Sequence, residues 1–109
     1  MGIPEDNPAS VMDIITATAT ARDAALTAIA AAEEGDFAEA TKWVTRATNA
    51  TAAAQKAHNH ILSLEAQGNG PDFSVLLVHA ETHLTDATAM TEMARHFIKL
   101  YRRLDGADK

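Results

Sequence analysis

Cysteine is absent from this chain of 109 residues, and aromatic residues, proline and glycine are all scarce. Without cysteine the protein has no disulfide, no thiolate nucleophile and no thiolate metal ligand. Three prolines and five glycines leave long stretches without a helix breaker. Aromatic residues make up 5% of the chain, whereas alanine and threonine are abundant. This composition favours closely packed helices over a β-sandwich, which is rich in valine, isoleucine and tyrosine.

The sequence also lacks a long apolar run and a basic stripe. No window approaches the roughly 18 consecutive apolar residues of a membrane span. Residues 1–7 carry two acids and no basic residue, unlike a signal peptide. The net charge of −6 disfavours nucleic-acid binding, because phosphate contacts need clustered Lys and Arg. We therefore predict a cytoplasmic protein with no nucleic-acid partner and no direct membrane insertion.

A tight turn is predicted between the first two helices. Asn7 and Pro8 indicate the cap and first-turn proline of helix one, whose apolar residues recur at helical spacing. Gly35 favours the left-handed conformation that ends a helix, and Asp36 can cap helix two with Glu39 completing a capping box. Because the connection is short, the two helices are predicted to be antiparallel neighbours.

The run Gly-Asn-Gly-Pro at residues 68–71 cannot continue a helix and marks the second break. Helix two is therefore predicted from about Phe37 to Gln67. Helix three is predicted to begin at Pro71 or Asp72 and to end near Leu104.

The predicted fold class is all-α: an antiparallel up-down-up three-helix bundle. The bundle is predicted to occupy residues 9–104, between a short N-terminal tail at 1–8 and a C-terminal tail at 105–109. A chain of this length forms one domain.

Helix three carries two apolar stripes when its residues are plotted at ~100° per residue. The first, centred on Ala80 and suited to packing on two helices, contains Phe73, Leu76, Leu77, Leu84, Ala87, Ala94 and Ile98. The second, about 100° away, contains Met90, Met93 and Phe97 together with His79, His83 and Asp86. Such a wide apolar arc predicts a homo-oligomer in which copies of helix three meet. The alternative is that helix two covers both stripes.

Two of the five histidines share one face of helix three. His79 and His83 are four residues apart and therefore stack on the second stripe. Spacing alone leaves three interpretations: hydrogen-bonded interface histidines, a shared zinc ion, or a phosphohistidine with a supporting imidazole. His58 and His60 point about 200° apart and are predicted to be ordinary surface or rim residues. His96 lies on the charged side of helix three and is assigned no special role.

The residue between the two histidines argues against zinc-dependent hydrolysis. The zinc-protease motif has glutamate directly after its first histidine, whereas Glu81 follows His79 by two residues and turns away from both rings. A neutral imidazole is a competent nucleophile near neutral pH, and a charge on the second ring would stabilise a transferred phosphoryl group.

The run SVLLVHAETHL at residues 74–84 resembles the phosphorylation site of the lactose/cellobiose-type enzyme IIA proteins of the bacterial phosphoenolpyruvate-dependent sugar phosphotransferase system. The run AAEEGDFAEA at 31–40 is similar to the turn between the first two helices of this family. The run IKLYRRL at 98–104 also fits. The resemblance extends over about residues 11–104.

The resemblance implies a homotrimer of three-helix bundles that carries phosphoryl groups. Such proteins take a phosphoryl group from the phosphocarrier HPr onto a histidine and pass it to a cognate enzyme IIB, for sugar uptake coupled to phosphorylation. The phosphorylated histidine of the family corresponds to His79. Its companion corresponds to His83, which can hydrogen-bond to the phosphoryl oxygens.

The chain departs from the family pattern at Glu81, where glutamine is usual, and at Thr82, where aspartate is usual. The family's aspartate can hold a divalent cation near the trimer axis. Thr82 has no charge for a cation to neutralise, which disfavours a metal at that point. No cofactor is predicted. The competing interpretation of function is a structural or regulatory helical interaction module of the same fold without transport phosphotransfer.

Overall fold

The computed structural model describes residues 8–106 of the chain, and within them all regular structure is helical. The helices are α1 (Pro8–Glu33), α2 (Phe37–Ala66) and α3 (Val75–Leu104). The all-α prediction is confirmed. The predicted Asn7 cap lies outside the described residues, as do residues 1–7 and 107–109 of the predicted tails.

A glycine turn reverses the chain between α1 and α2. Gly35 has φ +82°, and the amide of Asp36 donates to the carbonyl of Ala31 at 2.9 Å. This hydrogen bond satisfies a carbonyl near the end of α1, where the last carbonyls have no partner further along the helix. Asp36 caps α2 by accepting from the amide of Glu39 at 3.1 Å. The reciprocal half of the predicted capping box does not form, because the Asp36 amide is already bound to Ala31 and the Glu39 carboxylate accepts from the indole of Trp43.

The third helix begins later than predicted. Gly68, with φ +80°, follows α2, which ends at Ala66, and α3 begins at Val75 instead of at Pro71 or Asp72. Ser74 is the cap, and its hydroxyl accepts from the amide of Leu77 at 3.1 Å. A serine cap supplies the acceptor that a free helical amide needs.

Two core clusters at opposite ends show that α1 and α3 run in the same direction, with α2 antiparallel to both. One cluster joins the start of α1, the end of α2 and the start of α3 through Val11, Ile14, Ala54, Ile61, Ala80 and Leu84. The other joins the end of α1, the start of α2 and the end of α3 through Ala28, Ala32, Ala40 and Ile98. The chain therefore follows the up-down-up course.

The core consists mainly of alanine. Of the sixteen buried apolar residues in the described chain, eleven are alanine, and the largest fully buried side chains are Ile14 and Thr18. Small side chains allow the helices to approach closely, but each contributes little buried apolar area. Larger apolar side chains, including Met93 at 54% and Phe97 at 37% exposure, remain on the outside.

The predicted core stripe of α3 is correct along the helix but wrong at its start. Leu84, Ala87, Ala94 and Ile98 are buried and Leu77 is half-buried. Phe73 is 85% exposed because it precedes the cap, and Leu76 is 41% exposed. Neither side chain belongs to the clusters that the three helices form at this end of the bundle.

Side-chain hydrogen bonds join the middle of α2 to the middle of α3. The hydroxyls of Thr51 and Thr91 lie 3.2 Å apart, and Arg95 donates to Thr48 at 2.6 Å. In residues 11–106 no buried side-chain nitrogen or oxygen lacks a partner. Satisfied hydroxyls fill the α2–α3 contact without the cost of burying an unpaired polar group.

Enlarging one central alanine should destabilise the bundle. Ala47 is fully buried against Ala24, Ala25 and Ala94, so Ala47→Leu should lower the free energy of unfolding by about 1–3 kcal/mol through overpacking. Urea denaturation at fixed protein concentration measures this change. The control Ala38→Leu enlarges an exposed alanine of α2 and should shift the midpoint little. Equal midpoints for the two variants would contradict the close-packed core.

One side-chain bond ties the ends of α1 and α3 together. The Tyr101 hydroxyl donates to Glu33 at 3.2 Å. Desolvation of the half-buried ring, and then the hydrogen bond and charge of Glu33, raise the pKa of Tyr101 above 10.0. The folded chain thus favours the neutral phenol. This contribution to stability is present below pH 10.0 and is lost as the pH rises through the raised pKa.

Glu33→Gln should lower the pKa of Tyr101, because it removes the negative charge that opposes ionisation. The chain has a single tyrosine, so tyrosinate absorbance follows this group alone, and circular dichroism shows whether the helices persist at each pH. Glu34→Gln, a neighbouring exposed acid, should leave the midpoint unchanged. An unchanged midpoint in Glu33→Gln would show that the contact does not persist in solution.

Candidate active site

The two histidines of the second stripe form a contacting pair on the N-terminal third of α3. The ring centroids of His79 and His83 lie 4.3 Å apart, and the planes are tilted by 60°. His79 is exposed, and His83, one turn further along, is half-buried. The structure thus brings both predicted site residues together, with the outer ring accessible to another protein.

The rings have no other side-chain partner in the described part of the chain. Neither His79 nor His83 accepts or donates a hydrogen bond there, whereas His58 does. Both lie well inside the helix Val75–Leu104, where backbone amides are already used in the helical hydrogen bonds. A group bound to the outer ring can therefore be stabilised only by side chains or by a docking partner.

A cavity of about 250 Å³ lies beside the histidine pair, between α1 and α3. It is lined by Thr18, Arg22, His83, Asp86 and Ala87. The hydroxyl of Thr18 is already committed, because it donates to the carbonyl of Ile14 at 2.8 Å. The groups free to meet a ligand are therefore a guanidinium, an imidazole and a carboxylate.

His58, predicted to be an ordinary surface or rim residue, has a side-chain partner that the prediction did not include. Its Nδ1 lies 2.7 Å from the carboxylate of Glu81, and both side chains are partly buried between α2 and α3. A signal was present in the sequence, because His58 falls between Ala54 and Ile61 at helical spacing and so shares their buried face. As predicted, Glu81 points away from the His79 and His83 rings. His60 and His96 are exposed, as expected.

Thr82 does not have the chemistry of a cation ligand. Its neutral hydroxyl donates to the carbonyl of Val78 at 3.0 Å, whereas hard divalent cations favour carboxylate and carbonyl oxygens. Across residues 8–106 no group of three or more histidine, aspartate or glutamate side chains could hold a metal ion. These residues do not fit a divalent cation at this position.

No helix of the described chain combines the length and the apolar character that a membrane span requires.

Comparison with known proteins assigns the family. The sequence model described as "PTS system, Lactose/Cellobiose specific IIA subunit" matches residues 9–102. The chain belongs to the lactose/cellobiose enzyme IIA family. The resemblance seen in the histidine run and the first turn is thereby confirmed, and membership in this enzyme IIA family implies a phosphocarrier role in the sugar phosphotransferase system.

Individual enzyme IIA proteins match over most of their length. The chain is 32% identical to the lactose-specific EIIA component of Staphylococcus aureus over 91 residues, covering 84% of this chain and 88% of the relative. Identity to the corresponding component of Lactococcus lactis subsp. lactis is 34%, covering 84% and 87%. The crystal structure of the cellobiose-specific enzyme IIA from Bacillus anthracis superposes with a TM-score of 0.88 at 31% identity, covering 97% of this chain and 95% of that one.

Proposed function

We propose that the protein accepts a phosphoryl group from phospho-HPr on His79 and passes it to a cognate enzyme IIB. The observation that carries the proposal is the exposed His79 ring in contact with a second imidazole, in a chain of the enzyme IIA family. An exposed ring on the side of a helix can be reached by two different partners in turn. We assign this exchange to the cytoplasm.

The transfer exchanges one nitrogen–phosphorus bond for another. The lone pair of the unprotonated His79 nitrogen attacks phosphorus while the bond from phosphorus to the HPr histidine breaks. The His79 ring releases the proton from its other nitrogen, and the HPr histidine gains one, so charge is conserved. The bonds formed and broken are alike, which suits a reversible carrier.

His83 is proposed to stabilise the phosphoryl group without bonding to phosphorus. Its ring lies one helical turn from His79, with centroids 4.3 Å apart. A nitrogen proton on this ring can donate to a phosphoryl oxygen, and such bonds to charged acceptors are stronger than bonds between neutral groups. Because backbone amides are unavailable inside the helix, this donor replaces part of the usual phosphate-binding backbone.

Replacing His79 should abolish phosphorylation. Incubation with phosphoenolpyruvate, enzyme I and HPr should give acid-labile phosphate on the wild type and none on His79→Gln, because glutamine cannot form the nitrogen–phosphorus bond. His83→Gln should be labelled more slowly. Label on the wild type should then move to a lactose/cellobiose-type enzyme IIB.

The matched control is His96→Gln, which changes an exposed histidine of the same helix and should be labelled like the wild type. Equal labelling of His79→Gln and wild type would overturn the proposal. A wild type that takes no phosphate would favour the helical interaction module instead.

We further propose that three copies assemble along α3. His79 begins a row with alternating spacings of four and three residues, which continues through His83, Asp86, Met90, Met93, Phe97, Leu100 and Leu104. This repeat is typical of a coiled-coil contact between helices. The C-terminal half of the row is apolar and includes Leu100 at 50% exposure, so this half forms the contact and leaves the histidines at its edge.

The fold of one chain leaves this row uncovered. Met90 is half-buried against the alanine cluster of the bundle, but Met93 and Phe97 remain exposed. The alternative in which α2 covers both stripes is therefore wrong. On α1, Leu26 is also 43% exposed. Contiguous exposed apolar surface of this kind usually marks a protein interface.

Lysines introduced into the apolar half of this row should prevent assembly of the trimer. Wild type should sediment at three times the chain mass of 11.6 kDa. The double variant Met93→Lys with Phe97→Lys should sediment as a single chain, because a trimer would bury the two ammonium groups. The control, Leu62→Lys with Ala66→Lys, charges two exposed residues of α2 outside the row and should remain trimeric. A monomeric wild type would refute the trimer.

A further inference from the structure

The cavity between α1 and α3 is lined by one basic residue from α1. Arg22 lines this cavity with His83 and Asp86, and it is the only Lys or Arg in α1. In the described chain the ion pairs are Lys42–Glu39, His58–Glu81 and Arg95–Glu92. The Arg22 guanidinium therefore forms no ion pair within residues 11–106.

The direction of α1 brings the Arg22 side chain towards the phosphorylation site. Side chains in a helix tilt towards its N-terminus. Because α1 and α3 run in the same direction, this tilt carries the guanidinium from the level of the cavity towards the end where His79 lies. His83 contacts both the cavity and the His79 ring. The cavity and the outer ring are thus joined through one side chain.

A phosphoryl group on His79 needs more positive charge than the two rings supply. It has roughly two negative charges near neutral pH, and Asp86 on the same cavity adds a further repulsive charge. Helical amides cannot offset this charge, because they are already hydrogen-bonded. A guanidinium stays protonated throughout the physiological range and offers a planar fork of N–H donors that matches phosphoryl oxygens.

We propose that Arg22 is a phosphoryl-binding residue, whose guanidinium donates hydrogen bonds to the oxygens of the group carried on His79, beside His83. This inference rests on the proposed phosphorylation of His79 and adds a residue from a second helix. The positive charge of the Arg22 guanidinium stabilises the phosphorylated state, while the guanidinium does not contact the attacking nitrogen of His79. The contact lies to one side of the outer ring, so the face that meets HPr or enzyme IIB remains open.

The test compares Arg22→Gln and Arg22→Met with wild type in two measurements. The first is the rate of His79 labelling at limiting phospho-HPr, which should fall roughly tenfold on loss of a charge-assisted hydrogen bond. The second is phosphorus NMR of the phosphorylated protein through a pH titration. The pKa of the phosphoryl group should rise in both variants, because a nearby cation favours the dianion. Arg22→Lys should restore part of both effects.

The matched control is Arg103→Gln, which removes the same charge from an exposed residue near the far end of α3. It should leave the labelling rate and the phosphoryl titration unchanged. Because Arg22 is also exposed, the neutral variants should keep their helices, which circular dichroism verifies. A structural role for Arg22 would lower stability but would not move the phosphoryl pKa.

The outcomes separate this inference from the function on which it rests. If wild type is not labelled on His79, the proposed phosphotransfer fails. If wild type is labelled and both neutral Arg22 variants match it in rate and in phosphoryl titration, the role of Arg22 is refuted while phosphotransfer stands. A slower rate together with a raised phosphoryl pKa supports the assignment.

Discussion

Close approach of the helices through alanine is the contact on which the rest of the molecule depends. Ala24, Ala25, Ala47 and Ala94 meet at the middle of the bundle. Alanine is the strongest helix former and loses no side-chain rotamer freedom on burial. The same choice gives a thin core, since each methyl group removes little apolar surface from water. The alanine core therefore also determines the surface. Larger apolar side chains, which a thicker core would bury, remain exposed to solvent.

The outward placement of large residues gives α3 two different tasks. Its inner face, with Ala80, Ala87 and Ala94, holds the helix against its neighbours. Its second face carries the histidine pair at one end and Met93 and Phe97 further along. A single continuous helix thus fixes the distance between the histidine pair and the surface proposed for assembly. Neither depends on a loop, so both are positioned by the regular hydrogen bonding of the helix.

A histidine inside a helix suits a carrier better than an enzyme that must hold its product. Phosphate sites built on loops or helix ends use free backbone amides, which bind strongly and in fixed positions. His79 has none, and the contacts available within the chain are the ring of His83 and the proposed contribution of Arg22. With so few contacts, a phosphoryl group on His79 would be stabilised only moderately and could be passed on. Binding the carried group tightly would slow its release to the next partner.

The two departures from the family pattern affect the surroundings of the candidate site more than the proposed nucleophile, His79. Glu81 is held by His58 across the α2–α3 contact, so its charge is directed away from the exposed ring. The Thr82 hydroxyl donates a hydrogen bond to the carbonyl of Val78, and this side chain carries no charge. Both residues lie next to the histidine pair in sequence, yet each faces a different neighbour because successive helical residues point about 100° apart.

The sequence by itself determined the helical class, both reversals of the chain and the pairing of His79 with His83. These features are local, so they can be predicted from the sequence. A glycine favours the positive φ that ends a helix, and side chains four residues apart share one face of it. The sequence did not determine where α3 starts, how far Phe73 is exposed, or that His58 meets Glu81. Only the tertiary structure decided these, along with the place of Arg22 beside the site. They depend on how three separate helices align lengthwise, and that alignment is set by packing between residues far apart in the chain.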